Sequence, residues 1–275
     1  MNIFEKLIYL LQATMTTPPS FGLWHFCSVL LLILLSAVTV WRFRNADDRT
    51  VRRIVLIAWL IMLCFEVYKQ IVFAMDTDGV TATWSYTWYA FPFQFCSLPL
   101  YLFPFIVFLK DGKVRDGVIF FSTTYLLFAG LAVMICPNDV YISYIGINIQ
   151  TMVHHGLQVL IGIYLFTVYH RRLTMRRFPY GFAVFILAVG AAMILNLSVH
   201  AALTACGIDA TFNMFFISPY YENTLPVLSS LYPHTPYPLF LVVYILGFSL
   251  LAAMMYGIQR GILTLSEGKR HEHKS

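Results

Sequence analysis

The segment FGLWHFCSVLLLILLSAVTVW, residues 21–41, is followed at once by RFRNADDRTVRR, residues 42–53. The first stretch contains no Asp, Glu, Lys or Arg and one histidine, His25, over a length that crosses the hydrocarbon core of a bilayer as a helix. The second stretch contains five arginines, and Lys and Arg are retained on the cytoplasmic side of a membrane. This pair of stretches therefore predicts a membrane span and its direction.

The composition of the whole chain agrees with that prediction. Of 275 residues, 59% are hydrophobic and 11% are charged, whereas a soluble domain carries about 25% charged residues. This composition excludes a soluble globular protein and a disordered chain, and the scarcity of charge excludes a nucleic-acid partner. An integral membrane protein is the class that remains.

Hydropathy predicts an all-α, polytopic membrane protein that forms a single domain over residues 1–275. Seven transmembrane helices are expected, at residues 21–41, 54–74, 89–109, 117–135, 147–169, 180–204 and 238–258. Residues 1–20 are predicted to form an interfacial segment, with a short amphipathic helix at 2–15. Residues 205–237 are predicted to form an outer loop, and residues 259–275 a cytoplasmic tail.

The distribution of cations predicts the orientation of these spans. Sixteen of the eighteen Lys and Arg residues lie in the links after spans 1, 3 and 5 and in the C-terminal tail. The opposite loops, 75–88, 136–146 and 206–237, contain none. We therefore expect the N-terminus outside and the C-terminus in the cytoplasm.

The five cysteines fit no zinc or disulfide framework, because each lies in or at the end of a different span. Cys136 and Cys206 are both expected near the outer surface, where a disulfide and two free thiols are alternatives. No metal and no cofactor are predicted.

Polar side chains are predicted to share one layer in the outer halves of the spans, whereas the inner halves are almost wholly apolar. This pattern predicts a polar cavity that opens to the outer side, and intramembrane polar residues are candidates for a functional site. The layer lies about 6 to 12 Å from the outer ends of the helices. It contains His25, Glu66, Lys69, Gln94, Cys96, His154 and His155, with Asn196 and His200 nearer the rim.

Within this layer, several residues have both a structural and a functional interpretation. Glu66 and Lys69, three residues apart, form either a structural ion pair or part of a site. The adjacent His154 and His155 either hydrogen-bond between helices or take part in chemistry. Cys96 lies between Pro92 and Pro99, which break the helix, and is either a small core residue or a nucleophile with His155 or Lys69 beside it.

The motifs FEVYK (65–69), PFQFCSLPL (92–100), HG (155–156) and TFNMFFIS (211–218) are similar to those of the YwaF-like family of integral membrane proteins. Eukaryotic relatives of that family are transmembrane acyltransferases of ether phospholipids. The resemblance implies that Cys96 is the acyl acceptor and that His155 is its partner. It also implies supporting roles for Glu66, Lys69 and Asn213. The second histidine, His154, departs from the family pattern.

Two functions are therefore expected. The first is a thiol-dependent phospholipid acyltransferase or lipase, in which Gln94 or N–H groups near the proline kinks stabilise the oxyanion. Its partners would be membrane lipids, and it would be a multi-pass protein of the cell membrane. The alternative is a small-molecule or proton-coupled transporter with a relay of Glu and Lys in span 2 and His in span 5. The sequence leaves the acyl donor, the acceptor and the oligomeric state open.

Overall fold

A computed structural model describes residues 2–137 and 140–272. The first half of the chain contains α1 (Ile3–Leu11), α2 (Leu23–Phe43), α3 (Asp48–Ala74), an antiparallel hairpin of β1 (Met75–Thr77) and β2 (Ala82–Trp84), α4 (Pro99–Phe108) and α5 (Lys113–Phe121). A π-helical segment, Ser122–Leu126, joins α5 to α6 (Leu127–Ile135). The second half contains α7 (Ile145–Tyr169), α8 (Phe178–Ala205), α9 (Leu228–Leu231) and α10 (Tyr237–Glu272).

The described part of the chain contains six helices that are long and apolar enough to cross a membrane. They are Leu23–Phe43, Asp48–Ala74, Lys113–Ile135, Ile145–Tyr169, Met175–Ala205 and Tyr237–Leu265. Each of them overlaps a predicted span. The prediction of an all-α polytopic membrane protein is therefore confirmed.

The predicted span at residues 89–109 is not a continuous helix. Its first part contains only the short 3-10 turns Trp88–Ala90 and Phe95–Ser97, and α4 has 10 residues, which is too short to cross a bilayer. Two prolines contribute to the difference. Pro92 disfavours helical geometry in Phe91, whose ψ is 136°, and Pro99, which has no N–H, is the first residue of α4. A prediction from apolar composition alone does not include the effect of proline on helix continuity.

Helix α7 is the centre of the bundle. In its most apolar stretch 72% of the residues are buried, compared with 6% in α2. It packs against α2, α3 and α6. Two glycines permit its close approach to α6. A Cβ atom at Gly130 would lie 2.9 Å from Val159, and one at Gly162 would lie 3.0 Å from Leu127. The two adjacent histidines of α7 therefore lie in the middle of the molecule.

The N-terminal segment packs on the ends of α3 and α7 that face the cation-free loops. Helix α1 begins with a capping box of Asn2 and Glu5 and ends at Leu11, four residues earlier than predicted. The Gln12 amide donates hydrogen bonds to the carbonyls of Val72 and Met75, at 3.0 and 2.6 Å. The segment is thereby fixed on the face opposite the arginine-rich links.

The arginine-rich face contains an ion network built around Arg115, whose side chain is fully buried. Its guanidinium donates to the Ile106 carbonyl at 3.0 Å and to Asp48 at 2.6 Å. It also donates to Asp111 and, at 3.0 Å, to the Tyr169 hydroxyl. Asp48, Asp111 and Arg115 belong to the links 42–53 and 110–116, just outside the predicted spans. The expectation that the inner halves of the spans are almost wholly apolar therefore stays a prediction.

A second group of charges extends this network to α8. Arg172 pairs with Asp111 at 3.0 Å and with Asp116 at 2.5 Å, and Arg177 also pairs with Asp116. Burial acts to raise the pKa of Asp111, but hydrogen bonds from Arg172 and Arg115 outweigh it and hold the pKa below its usual range. Aspartates and arginines thus tie together the ends of four helices.

The π-helical segment Ser122–Leu126 is held by glutamines from two neighbouring helices. The Gln259 amide of α10 donates to the Thr123 carbonyl at 2.8 Å, and the Gln158 amide of α7 donates to the Leu126 carbonyl at 2.9 Å. These bonds supply partners to carbonyls in a distorted part of the helix. They also fix the position of α6 beside α7.

Candidate functional site

Cys96 lies in the turn Phe95–Ser97, directly before α4 begins at Pro99. Its thiol is free and partly exposed. Because Pro99 has no N–H, the carbonyl of Cys96 lacks the donor that a helical turn would place three residues ahead. His154 supplies the missing donor, since its Nε2 lies 3.0 Å from that carbonyl oxygen. The break in the helix is thereby tied to α7.

The hydrogen bond fixes the chemical state of His154. A carbonyl only accepts, so Nε2 carries the proton and Nδ1 carries the lone pair. Nδ1 is buried and has no hydrogen-bond partner among residues 2–137 and 140–272, and the whole side chain is 2% exposed. His154 is therefore a residue that positions the backbone of Cys96.

His155 is held in the opposite tautomer. Its Nδ1 lies 2.8 Å from the carbonyl of Thr151, one turn earlier on α7. Nδ1 therefore carries the proton, and Nε2 carries the lone pair that a general base needs. The ring centroids of the two histidines are 6.0 Å apart. No hydrogen bond between the described residues joins either imidazole to the Cys96 thiol.

Glu66 and Lys69 form a buried pair on α3. Lys69 Nζ lies 2.8 Å from Glu66 Oε1, and the Gln70 amide donates to the same oxygen at 2.8 Å. The other carboxylate oxygen, Oε2, is buried without a hydrogen-bond partner in the part of the chain that the structure describes. Lys69 lies within electrostatic range of Cys96 and of both histidines. The predicted pair is thus present, and its cation lies among the other candidate residues.

Gln70 connects this pair to the irregular segment that precedes Cys96. Its Nε2 also donates to the carbonyl of Ala90 at 2.8 Å, and its Oε1 accepts from the Tyr86 hydroxyl at 2.8 Å. Tyr86 was not among the predicted site residues, because an aromatic residue near the end of a span is typical of an interfacial anchor.

Gln94 and Asn213 bring the predicted outer loop into the bundle. Gln94 Nε2 donates to the carbonyl of Asn213 at 3.0 Å, and Gln94 Oε1 accepts from the N–H of Phe215 at 2.9 Å. The Asn213 amide oxygen accepts from the N–H of Ser218 at 2.9 Å. Both polar ends of Gln94 are therefore engaged with the loop, and its predicted role at an oxyanion stays a prediction.

Asn196 of α8 holds the same loop from the other side. Its Nδ2 donates to the carbonyl of Met214 at 3.0 Å, and its Oδ1 accepts from the N–H of Met214 at 2.7 Å. Phe215, held at φ 59°, stacks on Phe93 and contacts Phe95, with centroids 5.9 and 5.2 Å apart. Sequence reasoning placed Asn196 near the rim and missed this function, although an asparagine within an apolar helix is a usable signal.

Two residues of the predicted polar layer lie apart from this cluster. His25 Nε2 contacts the carbonyl of Met134 at 2.9 Å. His200 stacks on Tyr220, with centroids 3.7 Å apart. Residues 2–137 and 140–272 contain no group of three His, Cys, Asp or Glu residues that could hold a metal ion. All five cysteines are free, including Cys136 and Cys206.

An apolar groove of about 230 Å³ runs between α2 and α7. Trp24 and Ser28 line it on α2, and Met152 and Gly156 line it on α7. At about 100° per residue, the groove side of α7 differs from the sides that carry His154 and His155. The groove is therefore separate from the polar cluster.

The fold and the site together define a multi-pass integral membrane protein, in which a helix broken at a cysteine meets a buried polar cluster. The chain belongs to the TMEM164 family, whose sequence profile matches residues 20–256. No curated protein and no solved structure matches it. The family match agrees with a membrane protein, and the resemblance to YwaF-like proteins stays a prediction.

Proposed function

We propose that this protein is a thiol-dependent lipid acyltransferase or acyl hydrolase with Cys96 as nucleophile and His155 as base. The observation that carries the proposal is the position of Cys96 at a helix break, with its carbonyl held by His154 and with Lys69 nearby. The nucleophilic form is the thiolate, and because Lys69 shares its charge with Glu66, the proposal assigns the thiol proton to His155.

The proposed reaction has two steps. His155 Nε2 takes the proton of the Cys96 thiol, and the thiolate attacks the carbonyl carbon of a phospholipid ester. The C–O bond then breaks, and the leaving alkoxide takes the proton from the His155 imidazolium. In the second step His155 Nε2 removes a proton from a lysolipid hydroxyl or from water, and that oxygen displaces the thiolate from the thioester. The thiolate then takes the proton from Nε2, which restores the thiol and the neutral imidazole.

The broken helix also supplies candidate donors for the oxyanion. Phe95 and Cys96 begin a helical turn, so their N–H groups have no acceptor within the helix. These groups replace Gln94 in our proposal, because the Gln94 amide is engaged with the loop. Backbone donors held in this way do not have to reorganise as negative charge develops.

We also propose the topology that the sequence predicted. The N-terminus lies outside, the C-terminus lies in the cytoplasm of a cell-membrane protein, and α4 with the preceding turns forms a seventh, broken membrane segment. The arginine-rich links lie together at one end of the bundle, which supports this orientation. Residues 205–237 then face outside and residues 259–275 face the cytoplasm.

The chemical proposal is tested with an alkyne-tagged acyl donor and the purified protein. We expect a hydroxylamine-sensitive label that is lost in Cys96→Ala and retained in Cys64→Ala, since Cys64 is another free cysteine, exposed on α3. His155→Phe should lower the labelling rate about 10²- to 10⁴-fold, as expected for a general base. Undiminished labelling of Cys96→Ala, or no labelling of any form, contradicts the proposal.

The topology is tested on intact cells with a membrane-impermeant maleimide. A variant that retains only Cys206, exposed at the end of α8, should be labelled without permeabilisation. In a cysteine-free background, Thr174→Cys on the arginine-rich face should be labelled only after permeabilisation. The reverse pattern would show that the orientation is inverted.

A further inference from the structure

The structure divides the cations of the arginine-rich face into two groups. The links 42–53, 110–116 and 171–177 contain twelve Lys and Arg residues and four aspartates. The first group pairs with Asp48, Asp111 and Asp116 and contains Arg52, Arg115, Arg172 and Arg177. The remaining aspartate, Asp47, accepts a hydrogen bond from the N–H of Thr50 at 3.0 Å.

The second group, the basic rim, remains exposed and forms no ion pair with a described residue. It contains Arg42, Arg44, Arg49, Arg53, Lys110, Lys113, Arg171 and Arg176. The internal network uses three of the four aspartates, and Asp47 lies within electrostatic range of Arg49 and Arg53. Eight exposed cations of this face thus stand against one remaining acid. The positive charge of the rim is not needed to hold the helices together.

Exposed apolar side chains lie among the rim cations along the chain. Trp41 is 71% exposed beside Arg42, Phe108 is 67% exposed, and Val114 is 59% exposed beside Lys113. Such side chains are placed where a helix end meets the boundary between hydrocarbon and headgroups. A phospholipid offers both an acyl chain for these side chains and a phosphate for the cations, in the same order from the centre of the bilayer outward.

We infer that the basic rim binds the headgroups of anionic phospholipids in preference to zwitterionic ones. Each rim cation attracts a phosphate whose charge is not cancelled by a choline or an ethanolamine, and the apolar side chains contact the upper part of the acyl chains. This inference does not depend on the chemistry proposed for Cys96. It extends beyond topology, because a purely topological role for these cations requires no preference among lipids.

The test uses the full-length protein in discs made of equal amounts of phosphatidylglycerol and phosphatidylcholine. After extraction and washing, the ratio of the two lipids that copurify is measured. We expect phosphatidylglycerol to be enriched about 5- to 30-fold over the bulk, as one or two surface cations per headgroup would produce. Raising the salt concentration should lower this enrichment.

Two variants separate charge from fold. The quadruple change Arg49→Gln, Arg53→Gln, Arg171→Gln and Arg176→Gln should bring the enrichment close to one, and lysine at the same four positions should retain it. If the glutamine variant does not fold, the salt dependence of lipid enrichment in the unchanged protein still tests the inference. Enrichment that is equal in all forms, absent in the unchanged protein or insensitive to salt would overturn the inference.

Discussion

Replacing Asn196 by leucine should release the loop that packs against the turn of Cys96. The two side chains have nearly the same size, so the change removes hydrogen bonds and leaves little void. Asn196 is fully buried and makes both of its bonds with the backbone of Met214, at 3.0 and 2.7 Å. The substitution therefore leaves one buried N–H and one buried carbonyl without partners.

The magnitude follows from these two groups. A buried polar group without a partner costs about 1 to 3 kcal/mol, which gives about 2 to 6 kcal/mol for the pair. Hydrogen bonds measured within membrane proteins contribute about 0.6 kcal/mol on average and about 1.7 kcal/mol at most. We therefore expect the free energy of unfolding to fall by about 2 to 3 kcal/mol.

Asn148→Leu is the matched control. Asn148 is also fully buried, and its amide makes the same two-way contact with the backbone of Ile142, at 3.0 and 2.8 Å. Both variants should lose similar stability when unfolding is followed by tryptophan fluorescence during a titration with SDS in mixed micelles. Only Asn196→Leu should also reduce acyl labelling of Cys96, because only Asn196 holds the loop beside it.

Two results would refute this reasoning. A loss below about 1 kcal/mol for Asn196→Leu would show that the freed groups of Met214 find other partners. Equal losses of labelling in both variants would show that labelling follows global stability and does not depend on the loop.

Three further predictions concern the helix packing and the ion network. Gly117→Ala should lower the thermal midpoint because its Cβ would lie 2.9 Å from the Tyr180 carbonyl, whereas Gly190→Ala, with no atom within 4 Å, should not lower it. Arg115→Met should cost about 2 to 4 kcal/mol in the SDS titration, less than a fully enclosed pair, because its acidic partners can rehydrate. The lowered pKa of Asp111 stabilises the fold above the ordinary value of 3.8. This contribution is lost as the pH falls through the folded-state pKa, so the thermal midpoint should fall in acid and should fall less in Asp111→Asn.

The long helices could be predicted from the sequence because hydropathy measures the property that places them in a membrane. The third span could not, because its irregular backbone depends on amides from elsewhere. Gln94 lies 119 residues before its partner Asn213, and the sequence around either residue does not predict that the two form a hydrogen bond. A count of apolar residues therefore predicts a continuous helix where the chain forms turns.

The candidate site was predictable in its residue types and not in its contacts. Depth and composition identified Cys96, His154 and His155 as neighbours in one layer. Adjacent histidines on a helix point in directions about 100° apart, and only the structure shows that His154 binds the carbonyl of Cys96. The arginines were interpreted as topology signals alone, because the sequence does not show that Arg115, Arg172 and Arg177 pair with aspartates from other links.

The pairing of Gln94 with a distant loop has a consequence for how the chain is made. A ribosome adds about 5 to 20 residues per second, so about 6 to 24 seconds pass between the synthesis of Gln94 and that of its partner, 119 residues later. During this interval the backbone around residues 88–98 has polar groups that hydrocarbon cannot satisfy. The bonds that Gln94 makes with the loop can form only after residue 215 has been made, so the surroundings of Cys96 depend on a part of the chain that is synthesised much later.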